Sequence, residues 1–172
     1  MAKQLEEPAY EIVVTFEEFE IRTYAPYIHA QVADEHSNET VNRRSFQRIA
    51  SYIFGGNVQQ QQIAMTSPVL MWNENGTSMM SFVMPSTYDL NSLPMPSDSD
   101  IQLLKHEGGE MAALQFSGLS KKSKVSRYTK VLLESIQKEG WKAKGPVLLA
   151  VYDPPMTLPF LRRNELLVSV NR

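Results

Sequence analysis

The run from Ile53 to Val69, IFGGNVQQQQIAMTSPV, is the stretch from which the fold can be read. An apolar helical stripe stops on Gly55-Gly56, the glutamines 59–62 cross a gap, and Ile63-Ala64-Met65 leads into Pro68. Upstream, Phe46, Ile49, Ala50, Ile53 and Phe54 recur at i, i+3, i+4, i+7 and i+8. That spacing predicts an amphipathic helix of about 14 residues. The glycines end it because a residue without Cβ takes the left-handed position after a helix at little cost. Downstream, Ile63–Trp72 and Met79–Met84 read as strands flanking Asn73-Glu74-Asn75-Gly76, whose Asn-Gly pair favours a hairpin.

Outward from this run the pattern recurs. Tyr10–Phe16, Phe19–Tyr24 and Tyr27–Ala33 are rich in β-branched and aromatic residues and read as strands. Tyr88–Asp100, with Pro94 and Pro96, is a loop. After it come strands at Ile101–His106 and Glu110–Gly118. A second helix is marked by Val125, Tyr128, Leu132 and Ile136, with a cap expected near Ser120 or Ser123 and a stop at Gly140. Strands at Val147–Tyr152 and Glu165–Val170 close the chain. Each half runs strand, strand, helix, glycine, strand, strand, which implies a duplicated unit. The expected fold class is α+β, a distorted β-barrel of two pseudo-two-fold repeats with two helices packed on the curved sheet. The 172 residues form one domain in this reading, with repeats at about 8–87 and 101–171.

Composition narrows the chemistry. A net charge of −2 gives no electrostatic reason to bind nucleic acid or an anionic membrane. There is no cysteine, so disulfides and thiolate chemistry are excluded. No window approaches the roughly 18 apolar residues of a membrane span. The first residues, MAKQLEEPAYEIVV, lack the apolar core of a signal peptide, and a cytoplasmic location is the expectation. His29, His36 and His106 share no metal-binding spacing, and no nucleophile elbow, P-loop or dinucleotide fingerprint is present.

The apolar residues are more informative. Nine methionines are many for this length, and their polarisable side chains suit either irregular core gaps or a pocket for a flat apolar ligand. Met156 to Phe160 lie in a proline-rich loop, where apolar side chains either cover a core edge or line a groove. Arg43, Arg44 and Arg48 accompany the apolar stripe of the first helix, as a solvated face or as a rim that would suit the carboxylates of a planar ligand.

Several segments together resemble the SOUL haem-binding protein family. They are Tyr10-Glu11-Ile12, Phe19-Glu20-Ile21-Arg22-Thr23-Tyr24, Ser51 to Asn57, and Ile63 to Val69. Further on come Phe82-Val83-Met84-Pro85, Phe116-Ser117-Gly118, Tyr152-Asp153-Pro154-Pro155 and Arg162-Arg163-Asn164-Glu165, so the likeness covers about Pro8 to Val170. The resemblance implies a barrel of two β-α-β-β units and a shallow apolar groove for haem or another tetrapyrrole. Phe46, Ile49, Ile53 and Met65 would line it, with Met156, Leu158 and Phe160 from the loop. Arg43, Arg44, Arg48 and Arg162 are the candidates for propionates. Some relatives carry a histidine where this chain has Thr23, so haem affinity is expected from apolar contact and propionate pairing, with weak axial ligation or none. Met65 is then a wall residue and not an iron ligand. The expected role is non-catalytic: a carrier, buffer or sensor. The alternatives are an effector-binding module of the same fold for another hydrophobic small molecule, and a hydrolase using a groove carboxylate.

Overall fold

The structure, a computed structural model, describes residues 4–39 and 41–172. The reading of the first residues as no signal peptide rests partly on Met1–Lys3, which lie outside that range. The elements in order are β1 (Tyr10–Thr15), β2 (Glu20–Tyr24), β3 (Tyr27–Asp34), α1 (Arg43–Ile53), β4 (Val69–Glu74) and β5 (Thr77–Val83). They continue with β6 (Gln102–His106), β7 (Gly109–Phe116), α2 (Lys122–Lys138), β8 (Lys142–Ala143), β9 (Leu148–Val151) and β10 (Asn164–Asn171). The α+β class is as expected.

The chain divides into two compact units. Unit one holds Pro26–Glu107 with the segment ending at Pro8, and unit two holds Ala9–Ala25 and Gly108–Arg172. In unit one the antiparallel sheet runs β4-β5-β3-β6. Helix α1 packs on the face that presents Ala30, Val32, Met80 and Phe82, and the Phe46 and Phe82 rings meet at 5.3 Å. Ile49, Tyr52 and Ile53 are buried there. In unit two the antiparallel sheet runs β1-β2-β7-β10-β9, and β8 also pairs with β10. Helix α2 covers the face of Ala112, Leu114, Phe116, Leu166 and Val168. Tyr128 stacks on Phe116 at 5.0 Å, and Leu132 and Ile136 are buried. Fully burying one such side chain contributes about 1.5–3 kcal/mol.

The chain runs three strands, helix, two strands and then two strands, helix, three strands, with a rearrangement that strand spacing does not show. β2 precedes β3 in the chain but pairs with β7, and β6 precedes β7 but pairs with β3. The β1-β2 hairpin of the first half and strand β6 of the second are therefore each laid in the sheet formed by the other half.

Local chemistry accounts for the remaining differences. β4 begins at Val69 and not at Ile63, because Pro68 has no N–H to give to a ladder. Residues 63–67 are held instead by single bonds, among them Ile63 N to the Ile53 carbonyl at 2.9 Å and Ser67 N to the Glu6 carbonyl at 2.9 Å. The Asn-Gly hairpin forms as predicted, with φ of 52° at Asn75 and 83° at Gly76. Helix α1 is 11 residues long and capped by the Asn42 side chain on Ser45 N. Helix α2 starts after Lys121 with no side-chain cap, so neither Ser120 nor Ser123 serves.

The Gly-Gly stop of α1 requires its glycines for two reasons. Gly55 has φ of 110°, which disfavours any side chain. Gly56 donates its N–H to the Ser51 carbonyl at 2.8 Å, and a Cβ there would lie 2.6 Å from that same oxygen. Gly56→Ala must push the backbone off the helix end. It should cost about 1–3 kcal/mol, as over-packing does, read as a lower urea midpoint with unchanged slope. A midpoint equal to wild type would show that the helix end yields freely.

Candidate functional site

The connection from β9 to β10 is the most exposed apolar segment of unit two. Pro154, Pro155 and Pro159 withhold N–H groups and fix φ, so the chain leaves the sheet and cannot pair as a strand. It makes a turn with Thr157 N on the Pro154 carbonyl at 3.0 Å, then a short 3-10 turn at Pro159–Leu161. Its apolar side chains point outward: Met156 is 93% and Phe160 71% exposed, and Leu158 and Leu161 are exposed as well. Arg162 braces the loop from inside, giving Nε to the Thr157 carbonyl at 2.8 Å and Nη2 to the Pro155 carbonyl. Its guanidinium is committed to the backbone, which weakens the expectation that it receives a propionate.

At the foot of this loop lies a buried polar cluster. Arg22 on β2 and Glu165 on β10 project from the face opposite α2, as the strand registers require. Arg22 is 2% and Glu165 0% exposed. Arg22 grips Glu165 with two parallel bonds, Nη1 to Oε1 at 2.9 Å and Nη2 to Oε2. It also gives Nε to Glu20 at 2.7 Å and Nη1 to the Tyr24 hydroxyl at 2.9 Å, and lies 4.2 Å over the Tyr10 ring. The Tyr152 hydroxyl donates to Glu165 Oε1, and the Arg163 guanidinium sits 3.8 Å over the Tyr152 ring.

Burial alone would raise the Glu165 carboxyl, but the bonds and charge of Arg22, with Tyr152, outweigh it and hold it below its ordinary value. Burial pushes Tyr24 up to about 12. Burial and then the Glu165 charge push Tyr152 up as well, so both hydroxyls keep their protons. An ionised, fully bonded carboxylate is the reverse of a general acid tuned toward neutral pH.

In unit one the predicted site residues separate. Ile49 and Ile53 are packed inside the core, so they cannot present surface to a ligand as expected. The helical period itself put them there: the buried face is Ser45, Ile49, Tyr52 and Ile53. Phe46 is 40% exposed, Met65 is half-buried, and Arg43 and Arg44 are exposed. Arg48 is paired with Asp98, through bonds of 2.7 and 2.8 Å, and with Asp100 at 3.0 Å. Those aspartates tie the 88–100 loop to α1.

Sequence reasoning missed the Arg22–Glu165 pair. The available signal was Arg22 within the short strand EIRTY and Glu165 as the one charged residue of β10.

The histidines offer no ligand to either set. His29 on β3 is largely buried with its Nδ1 unbonded, and burial, then the nearby His106, push it down to about 4. His106 stacks on Tyr27 at 4.7 Å, and His36 is exposed in the turn after β3. Thr23 is exposed on β2. Among the described residues no three His, Cys, Asp or Glu side chains gather as a metal site. The outward apolar side chains offer a contact surface of the kind a flat macrocycle would cover.

The SOUL heme-binding protein profile matches residues 5–169, and the chain belongs to that family. Among curated relatives it is similar to heme-binding protein 1 of Xenopus laevis, at 28% identity over 86% of this chain and 80% of that protein. Among solved structures it is similar to a hydrolase from Listeria innocua, with TM-score 0.66, 11% identity, and 92% and 94% of the two chains covered. It is also similar to SAV2435 bound to tetraphenylphosphonium, with TM-score 0.51, 12% identity, and 90% and 94% covered. At these identities the structural likenesses concern the fold. No helix among the described residues is long and apolar enough to cross a membrane.

The buried pair sets an acid dependence. A carboxyl with a lower pKa folded than unfolded adds stability that is fully present above its unfolded value of about 4.5 and lost as pH falls through the folded one. Glu165→Gln leaves the buried Arg22 with Glu20 as its remaining carboxylate partner and should cost up to about 3–5 kcal/mol at neutral pH. The variant should also lose less further stability than wild type between about pH 5 and pH 3. Denaturant titrations across that range decide it, and parallel curves would place the acid sensitivity in other carboxylates.

Proposed function

We propose that this chain acts as one haem-binding domain over residues 1–172, holding haem or a related tetrapyrrole without catalysis, as a cytoplasmic carrier, buffer or sensor. The observation that carries the reading is the outward row Met156, Leu158 and Phe160 on a proline-held loop, in a chain of the SOUL family. Exposed apolar side chains gain about 25 cal/mol for each Å² they cover. Haem supplies an apolar disc and two carboxylates. The loop side chains lie against the disc, and the absence of histidine from the loop leaves the iron weakly ligated from this side. On unit one, Arg43, Arg44, Phe46 and Met65 offer a surface of matching chemistry. It is tested separately.

Hemin titration followed at the Soret band should show saturable one-to-one binding. Phe160→Ala should weaken it by about 1–3 kcal/mol, the range for losing one covered apolar side chain, with the unfolding midpoint unchanged. Wild-type affinity in Phe160→Ala would remove the loop from the site. Met65→Leu should keep hemin affinity within about threefold, or roughly 0.7 kcal/mol, because a thioether wall is replaced by an isosteric one. A loss beyond a hundredfold with a moved Soret band would make Met65 an iron ligand.

A second reading, an effector module for another hydrophobic small molecule, draws on the fold shared with the tetraphenylphosphonium-bound structure. Binding of that cation without any Soret response to hemin would favour it.

A further inference from the structure

We infer that Glu165 is the positioning residue of the 153–162 loop, fixing through Tyr152 and Arg163 where its apolar side chains stand. The inference rests on the loop being the ligand-bearing segment. Tyr152 and Arg163 are the residues at which the chain leaves and rejoins the sheet. They are joined across the base by Tyr152 N on the Arg163 carbonyl at 3.3 Å, and Arg163 N is held by Asp153 Oδ2 at 2.6 Å. Both side chains converge on one carboxylate. The Tyr152 hydroxyl donates to Glu165 Oε1, and Arg163 Nη2 lies 3.6 Å from the same oxygen while its guanidinium covers the Tyr152 ring.

The carboxylate cannot turn to follow them. Arg22 engages both of its oxygens in one plane, so the group is locked to strand β2. Above this base the loop is braced by its own bonds, Arg162 to the carbonyls of Pro155 and Thr157, and by Gly118 N on the Pro159 carbonyl at 2.9 Å. The loop is therefore a pre-assembled piece seated on two residues that Glu165 orients. Glu165 acts through them, since it is itself fully buried. The angle at which Leu158 and Phe160 meet a ligand is set by a strand, β2, far away in sequence.

The experiment is amide hydrogen exchange of Tyr152→Phe, which deletes one hydroxyl and keeps the ring under Arg163. Without ligand, amides in the 153–163 segment should exchange about tenfold faster. Those of β7 and β10 should accelerate only by the smaller factor that the lowered urea midpoint accounts for. Hemin should dissociate about five- to tenfold faster, although no ligand-contacting atom has been removed. Arg163→Lys, which keeps the charge but loses the planar stack, should give the same pattern and serves if Tyr152→Phe folds poorly. Unchanged loop exchange, or a uniform acceleration matching a lower global stability, overturns the inference. If wild type shows no hemin binding, the functional reading fails while loop exchange still decides the positioning role.

Discussion

The buried pair of Arg22 and Glu165 is the constraint around which unit two is arranged. Two charges taken from water carry a desolvation cost of several kcal/mol each, recovered only when geometry is good and other polar atoms are satisfied. Here both oxygens of Glu165 and three nitrogens of Arg22 are bonded, and Tyr24 and Tyr152 complete the set. Such a pair tolerates no slip. Moving β2 by one residue against β7 would turn Arg22 to the α2 face, where Ile21 now lies beside Ala112. The ion pair thus specifies register, and with it the placing of a strand that local sequence would assign to the other half.

Specification matters because this topology is non-local. β2 reaches β7 across some 90 positions of chain, and β6 reaches β3 across about 75, so loop-closure entropy must be met before either pairing is rewarded. Apolar burial alone is a poor discriminator among antiparallel strands of similar composition. A polar cluster that is satisfied in one arrangement only supplies the discrimination.

The same cluster ties structure to the proposed function. A loop with three prolines is stiff in its own backbone but needs a fixed seat, and residues 152 and 163 provide one by meeting a carboxylate that cannot rotate. Strongly apolar side chains can then stand in solvent without collapsing onto the sheet, because the backbone beneath them is already bonded. Unit one shows the converse arrangement at α1. There two of the side chains that the family resemblance assigned to a groove, Ile49 and Ile53, are ones the sheet buries, and Arg48 is paired with Asp98.

The sequence by itself determined whatever depends on neighbouring residues. Period 3.6 marked α1 and α2, Asn75-Gly76 marked the hairpin, Gly55-Gly56 the helix stop, and the prolines of 153–163 a segment that could not be a strand. The ordered motifs also placed the chain in its family. What the tertiary structure alone decided is which strand lies beside which, and what each charge meets. Arg22 and Glu165 stand 143 residues apart, and Arg48 and Asp98 stand 50 apart, so no local pattern couples them. Even the helix period, which correctly gathered Phe46, Ile49 and Ile53 toward one side, could not tell which of them would face the sheet and which would remain open. That is settled by the crossing of helix over sheet, a contact among residues distant in sequence, and only the folded chain contains it.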